Sequence, residues 1–189
     1  MDPILALSLA SSTFEDVLAE VDDSQFSRAT PCDEWDVAAL IAHVTMGNEM
    51  AIALLDGASQ AEATAFRDRE FGGEDVISSC RASVSAQMTR MRAVDDWEAI
   101  VHHPVGDVPA SALIGFRTGD LTLHGWDLAT AIGADHRVPD ELAVVVYDSM
   151  KPMEPFIGQI GLFGEGPSGS VGDDADVQQR LLDLTGRRA

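Results

Sequence analysis

Apolar residues recur at helical intervals along most of the chain, and short polar runs containing proline or glycine cut them into segments. Asp2 followed by Pro3 reads as an N-cap and first turn. Leu5, Leu9, Phe14, Val17, Leu18 and Val21 follow at roughly helical spacing and predict a first helix to about Val21. Residues 22 to 35 are polar and hold Pro31; Asp36 then caps a second helix with the stripe Val37, Leu40, Ile41, Val44, Met50, Ala51, Leu54 and Leu55, ended by Asp56-Gly57. Ala58 to Gly73 reads as a charged loop with room for a short helical turn. Val76, Ile77, Cys80, Val84, Met88 and Met91 give a third helix, stopping at Asp95-Asp96.

Trp97 to Val108, with His102-His103-Pro104 and Gly106, reads as an extended connector. Pro109 opens a fourth helix, with Leu113, Phe116, Leu123, Leu128 and Ile132 inward and Gly133 closing it. Pro139 and Asp140 start a fifth, Glu141 to about Ile157. Gly158 to Gly172 reads as a surface loop and Asp173 to Thr185 as a short terminal helix. With no internal repeat, linker or sustained alternating pattern, the expectation is a single all-α bundle domain over residues 1–189.

The chain has 189 residues, 46% of them hydrophobic, enough for one domain with a sizeable core. Its net charge of -20 and pI near 4.2 argue against nucleic acid or an anionic membrane as partner. The opening Met1-Asp2-Pro3 lacks a basic leader, and the apolar run Ile4 to Ala10 is too short to span a bilayer, so a cytoplasmic protein is expected. Cys32 and Cys80 make neither a disulfide framework nor a CxxC knuckle. Cys32, before the cap at Asp36, reads as a structural thiol whose ionisation Asp33 and Glu34 oppose. The run Val144, Val145, Val146 is more apolar than one helix face needs, and predicts a homodimer. Met88, Met91, Met150 and Met153 read as core or subunit interface.

Candidate chemistry concentrates in Asp120-Leu121-Thr122-Leu123-His124-Gly125-Trp126-Asp127-Leu128-Ala129. Asp120 and His124 stand one helical turn apart, with Cβ atoms about 6 Å from each other, a spacing that suits either a shared metal ion or an ordinary ion pair. His43, at the edge of the second helix's stripe, is the candidate third ligand. Asp127 could orient His124 or serve as a cap. Trp126 and Trp35 read as packing residues, His102 and His103 as loop residues and His136 as exposed. No nucleophile elbow, phosphate-binding glycine loop or dinucleotide fingerprint occurs.

Thr30-Pro31-Cys32 with Trp35-Asp36-Val37, then Leu40 and His43, then Asp120 with Leu123-His124-Gly125-Trp126-Asp127-Leu128-Ala129, and the tail Leu181-Leu182-Asp183-Leu184-Thr185-Gly186-Arg187 together carry a resemblance. The chain resembles the DinB-like metal-binding four-helix bundles, and within them the actinobacterial group similar to the N-terminal domain of mycothiol-dependent maleylpyruvate isomerase. The resemblance implies a DinB-like bundle with extra short helices and a C-terminal helix. It also implies a divalent metal held by His43, Asp120 and His124, zinc foremost with nickel or iron as alternatives. Mycothiol or a similar low-molecular-weight thiol is the implied cosubstrate, with an electrophilic small molecule as its partner in an S-transferase or isomerase reaction. Asp120 departs from the pattern, which has the longer Glu there, or His in many DinB-like proteins. The isomerase also carries a second domain, which this chain ends too early to hold, so a different electrophile is expected. Two alternatives stand beside this: a non-catalytic metal- or ligand-binding bundle, as a stress-response or dimerisation module, and a metal-free protein in which Asp120 and His124 merely pair.

Overall fold

In the computed structural model, residues 1–33, 35–72, 75–159 and 163–188 are described. The Gly158 to Gly172 loop is therefore described only in part, and Glu34, expected beside Cys32, lies outside the described residues. Four helices close a ring: α1 (Pro3–Leu18) packs on α4 (Val76–Arg92) and α5 (Ala110–Ile132), and α2 (Val37–Leu55) packs on the same two. This is the four-helix bundle the stripes predict. The short α3 (Gln60–Thr64) occupies the charged loop; α6 (Asp140–Met150) covers α5 and α1, and α8 (Val177–Leu184) lies on α6.

Side-chain caps start α1 and α2. Asp2 Oδ1 accepts from the amides of Ile4 and Leu5 at 3.0 and 3.1 Å, and Asp36 Oδ1 from Ala39 at 2.9 Å. Gly133 ends α5 with φ of 78°, a left-handed conformation that favours glycine. Every residue from Leu121 to Ala129 is buried, so this stretch of α5 is sheathed on all sides. By length and composition α2 would pass as a membrane span, with mean hydropathy 1.5, but half of that window is buried inside the bundle.

Several sequence expectations change. In α1 the inward face runs through Leu7, Ala10, Phe14 and Leu18, leaving Leu5 62% exposed, because the three-and-four spacing counted back from Phe14 lands on Leu7. Phe116 is likewise exposed on α5. The extended connector is an antiparallel hairpin, β1 (Ile100–His103) with β2 (Gly106–Pro109). The fifth helix stops at Met150. Pro152 and Pro155 cannot continue the backbone ladder, so a 3-10 turn and the single-turn α7 (Glu154–Ile157) follow, leaving Met153 exposed rather than in the core.

Candidate metal centre

His43 on α2 faces Asp120 and His124 on α5, and the donor atoms of the three residues all lie within 4.8 Å of one another. Asp120 Oδ1 is 3.4 Å from His43 Nε2 and 3.5 Å from His124 Nε2. Both distances exceed the roughly 2.7–3.2 Å of a good N–H···O bond. They match instead the edge, about 3.4 Å, of a tetrahedron whose corners sit about 2.1 Å from a central zinc ion. The residues present therefore fit a metal with two imidazoles and one carboxylate. His43 and Asp120 are about a quarter exposed while His124 is nearly covered, so the set opens to solvent on the His43 and Asp120 side.

Each donor is held from behind. The second oxygen of Asp120 accepts from Arg117 Nη1 at 2.8 Å, which leaves Oδ1 turned to the two rings. Arg117 is itself fixed, donating through Nε to Gln87 Oε1 and through Nη2 to Asn48 Oδ1, both at 2.8 Å. Its guanidinium lies against Gly47 of α2, where a Cβ would fall 2.2 Å from Nη1. His124 presents Nδ1 to Asp127 Oδ2 at 3.0 Å, so that Nε2 faces Asp120, the arrangement that keeps a ligating imidazole in one tautomer. Trp35 stacks over His43 with ring centroids 4.3 Å apart and a 33° tilt.

The segment before α2 is cinched by its own polar groups. Thr30 Oγ1 donates to the carbonyl of Trp35 at 2.8 Å and accepts from the amide of Cys32 at 3.1 Å. That places Cys32 Sγ 3.4 Å from Asp127 Oδ2 and 4.0 Å from His124 Nδ1. Cys32, His124 and Asp127 form a second close group, but Arg187 already occupies both oxygens of Asp127.

Electrostatics follow from burial and pairing. Burial works to raise the Asp120 pKa, yet the Arg117 guanidinium and His124 hold the carboxyl well below its usual range. Burial works against charge on His124, and Asp120 and Asp127 overcome it, raising the imidazole well above its ordinary value. Asp127 is fully buried; desolvation opposes its charge, and His124 and Arg187 keep it ionised.

The three sequence-predicted residues are thus brought together. Asp127 takes the orienting position rather than a cap. Trp35, read as packing alone, covers His43. Arg117 and Arg187 were missed; Arg117 left one trace, a lone cation in an apolar helix three residues before Asp120. Trp126 is core, with its indole N–H finding no partner among the described residues, and His136 is exposed. On the hairpin His102 pairs with Asp107 at 2.7 Å, and His103 packs on Phe116.

Comparison with known proteins adds a lineage to this geometry. The family model described as the mycothiol maleylpyruvate isomerase N-terminal domain matches residues 7–129. An uncharacterized protein of Mycobacterium tuberculosis, present in two strains, is 35% identical over 144 residues, which is 76% of this chain and 75% of its own. The crystal structure of the mycothiol-dependent maleylpyruvate isomerase superposes with a TM-score of 0.63 at 20% identity, over 84% of this chain and 69% of that one. A histidine-to-alanine mutant of the same isomerase gives a TM-score of 0.66 at 18% identity over the same shares. These two likenesses concern the fold.

Proposed function

The chain belongs to the mycothiol maleylpyruvate isomerase N-terminal domain family, and on that premise we propose that it is a metal-dependent enzyme using a low-molecular-weight thiol, mycothiol or one like it, as cosubstrate. His43, Asp120 and His124 hold a divalent ion, zinc foremost. The observation that carries this is the pair of Nε2 to Oδ1 separations, 3.4 and 3.5 Å, longer than good hydrogen bonds and close to a tetrahedral edge.

When bound, the ion supplies positive charge that lowers the pKa of a neighbouring sulfhydryl, so that thiolate exists at neutral pH. The chain's own residues do the rest. Arg117 holds Asp120 to one free oxygen, Asp127 holds His124 with Nε2 turned outward, and Trp35 limits rotation of the His43 ring. Three donors are one fewer than a closed structural zinc site would use, and the partial exposure of His43 and Asp120 would give a small molecule access to the donor set. The thiolate adds to one carbon of a double bond conjugated to a carbonyl, forming an S–C bond as the π bond breaks and its electron pair moves onto the carbonyl oxygen. Expulsion of the thiolate after rotation about the former double bond gives an isomer, whereas protonation of the adduct gives an S-transferase product.

A second reading has one observation in its favour. Arg117 of α5 binds Asn48 of α2 and Gln87 of α4 as well as Asp120, and Asp127 binds Arg187 of the C-terminal tail, so the groups behind the donors tie the bundle together. A non-catalytic bundle that keeps its metal for stability fits that arrangement. Cobalt-loaded protein titrated with mycothiol separates the two: the enzyme reading expects a new near-ultraviolet sulfur-to-cobalt band that saturates, and an unchanged spectrum would overturn it.

A further inference from the structure

We propose that Arg187, in the C-terminal tail, is a positioning residue of the metal centre, acting through Asp127 on His124. The inference rests on the metal reading above.

Arg187 lies beyond residues 7–129, the part of the chain that the family model matches, and sixty residues from Asp127 in sequence. Its placement begins with the end of α8. The amide of Gly186 donates to the carbonyl of Asp183 at 3.0 Å and the amide of Arg187 to that of Leu182 at 2.8 Å, the paired bonds of a Schellman cap. Gly186 adopts φ of 76°, and a Cβ there would fall 2.8 Å from the Cα of Gly164, so conformation and space both call for glycine. This turn carries the chain off the helix and directs Arg187 inward.

The guanidinium then meets Asp127 as a fork: Nε donates to Oδ1 at 2.8 Å and Nη2 to Oδ2 at 2.6 Å. Asp127 has no exposed side-chain surface and Arg187 only 10%. Two parallel bonds fix the plane of a carboxylate, which one bond does not. With the plane fixed, Oδ2 stays 3.0 Å from His124 Nδ1 and the imidazole keeps its Nε2 toward Asp120. Without the fork, Asp127 is free to turn, and the ring of His124 loses the contact that selects its tautomer and orientation. The neighbouring Arg188 differs: it is half-exposed and binds Asp183 and the carbonyl of Gly166, away from His124.

The test compares wild type, Arg187→Gln, Arg187→Lys and, as control, Arg188→Gln in the full chain. Zinc affinity is measured by competition with a chromophoric chelator, and the His124 tautomer by long-range nitrogen–proton NMR. Losing the group bonded directly to a metal ligand weakens metal binding about 10–100-fold; Arg187 stands one bond further back, so Arg187→Gln is expected to weaken it at the lower end of that range, about 10-fold, along with loss of a single Nδ1–H tautomer at His124. Arg187→Lys keeps the charge and the fold but not the fork, and also weakens zinc. Arg188→Gln binds as wild type does. Wild-type affinity and tautomer in a folded Arg187→Gln or Arg187→Lys protein would overturn the inference. Failure of the wild type to bind zinc would instead sink the metal reading on which it rests.

Discussion

Gly47→Ala is the substitution whose sign the structure reverses. An interior glycine in an exposed helix is destabilising by roughly 0.5–1 kcal/mol relative to alanine, so the change ordinarily stabilises. At Gly47 the new Cβ would stand 2.2 Å from Arg117 Nη1 and 2.8 Å from its Cζ. A guanidinium at the end of a flexible side chain usually yields to such a contact. This one is buried and donates to Asp120, Gln87 and Asn48, each at 2.8 Å, so a retreat of more than an ångström gives up bonds. Overpacking costs about 1–3 kcal/mol and a lost bond to a charged group about 1.5–3 kcal/mol. Set against the helix gain, net destabilisation is about 1.5–5 kcal/mol, or a fall in Tm of roughly 3–20 °C for a chain of this size. Gly115 on α5 is the control, because a Cβ there meets no atom within 4 Å. Thermal melts followed by circular dichroism should show Gly115→Ala above wild type and Gly47→Ala below it. Equal stability of the two variants would refute the idea that Gly47 makes room for Arg117.

Two further outcomes are expected. Burial pushes the Cys80 thiol from its ordinary 9.0 up to about 11; below pH 9.0 it is protonated in folded and unfolded chains alike, and between those values only the unfolded chain ionises. Stability should therefore fall with rising pH across that window by up to about 1.4 kcal/mol per unit more steeply than in Cys80→Ala, as measured by urea titrations, and parallel profiles would contradict it. Asp36→Ala removes the bond from the Ala39 amide, and should cost about 1 kcal/mol in the same urea titration; no loss would show that the cap is dispensable.

The framework of the bundle was legible because helix stripes, caps and breakers are local. Asp36 and Gly133 act where the sequence places them. Pro152 and Pro155 stand in the sequence, yet the fifth helix was expected to run through them to Ile157; the missing amide and the restriction on the preceding residue stop it at Met150. The hairpin at Ile100–Pro109 was not legible, since four-residue strands give too short a run for an alternating signal. In the candidate site, Asp120 and His124 were found as a pair because one turn of one helix brings them together. Arg187 reaches Asp127 across sixty residues by a tertiary contact that no periodicity encodes, and the stacking of Trp35 on His43 depends on how the Thr30 to Trp35 segment closes on itself.

The central claim, a metal held by His43, Asp120 and His124, is tested most directly by elemental analysis of untagged protein purified without chelator, beside the double variant His43→Ala with His124→Ala. The structure predicts one divalent ion per wild-type chain and its loss from the variant. A wild type without metal, or a variant that retains it, would contradict the claim.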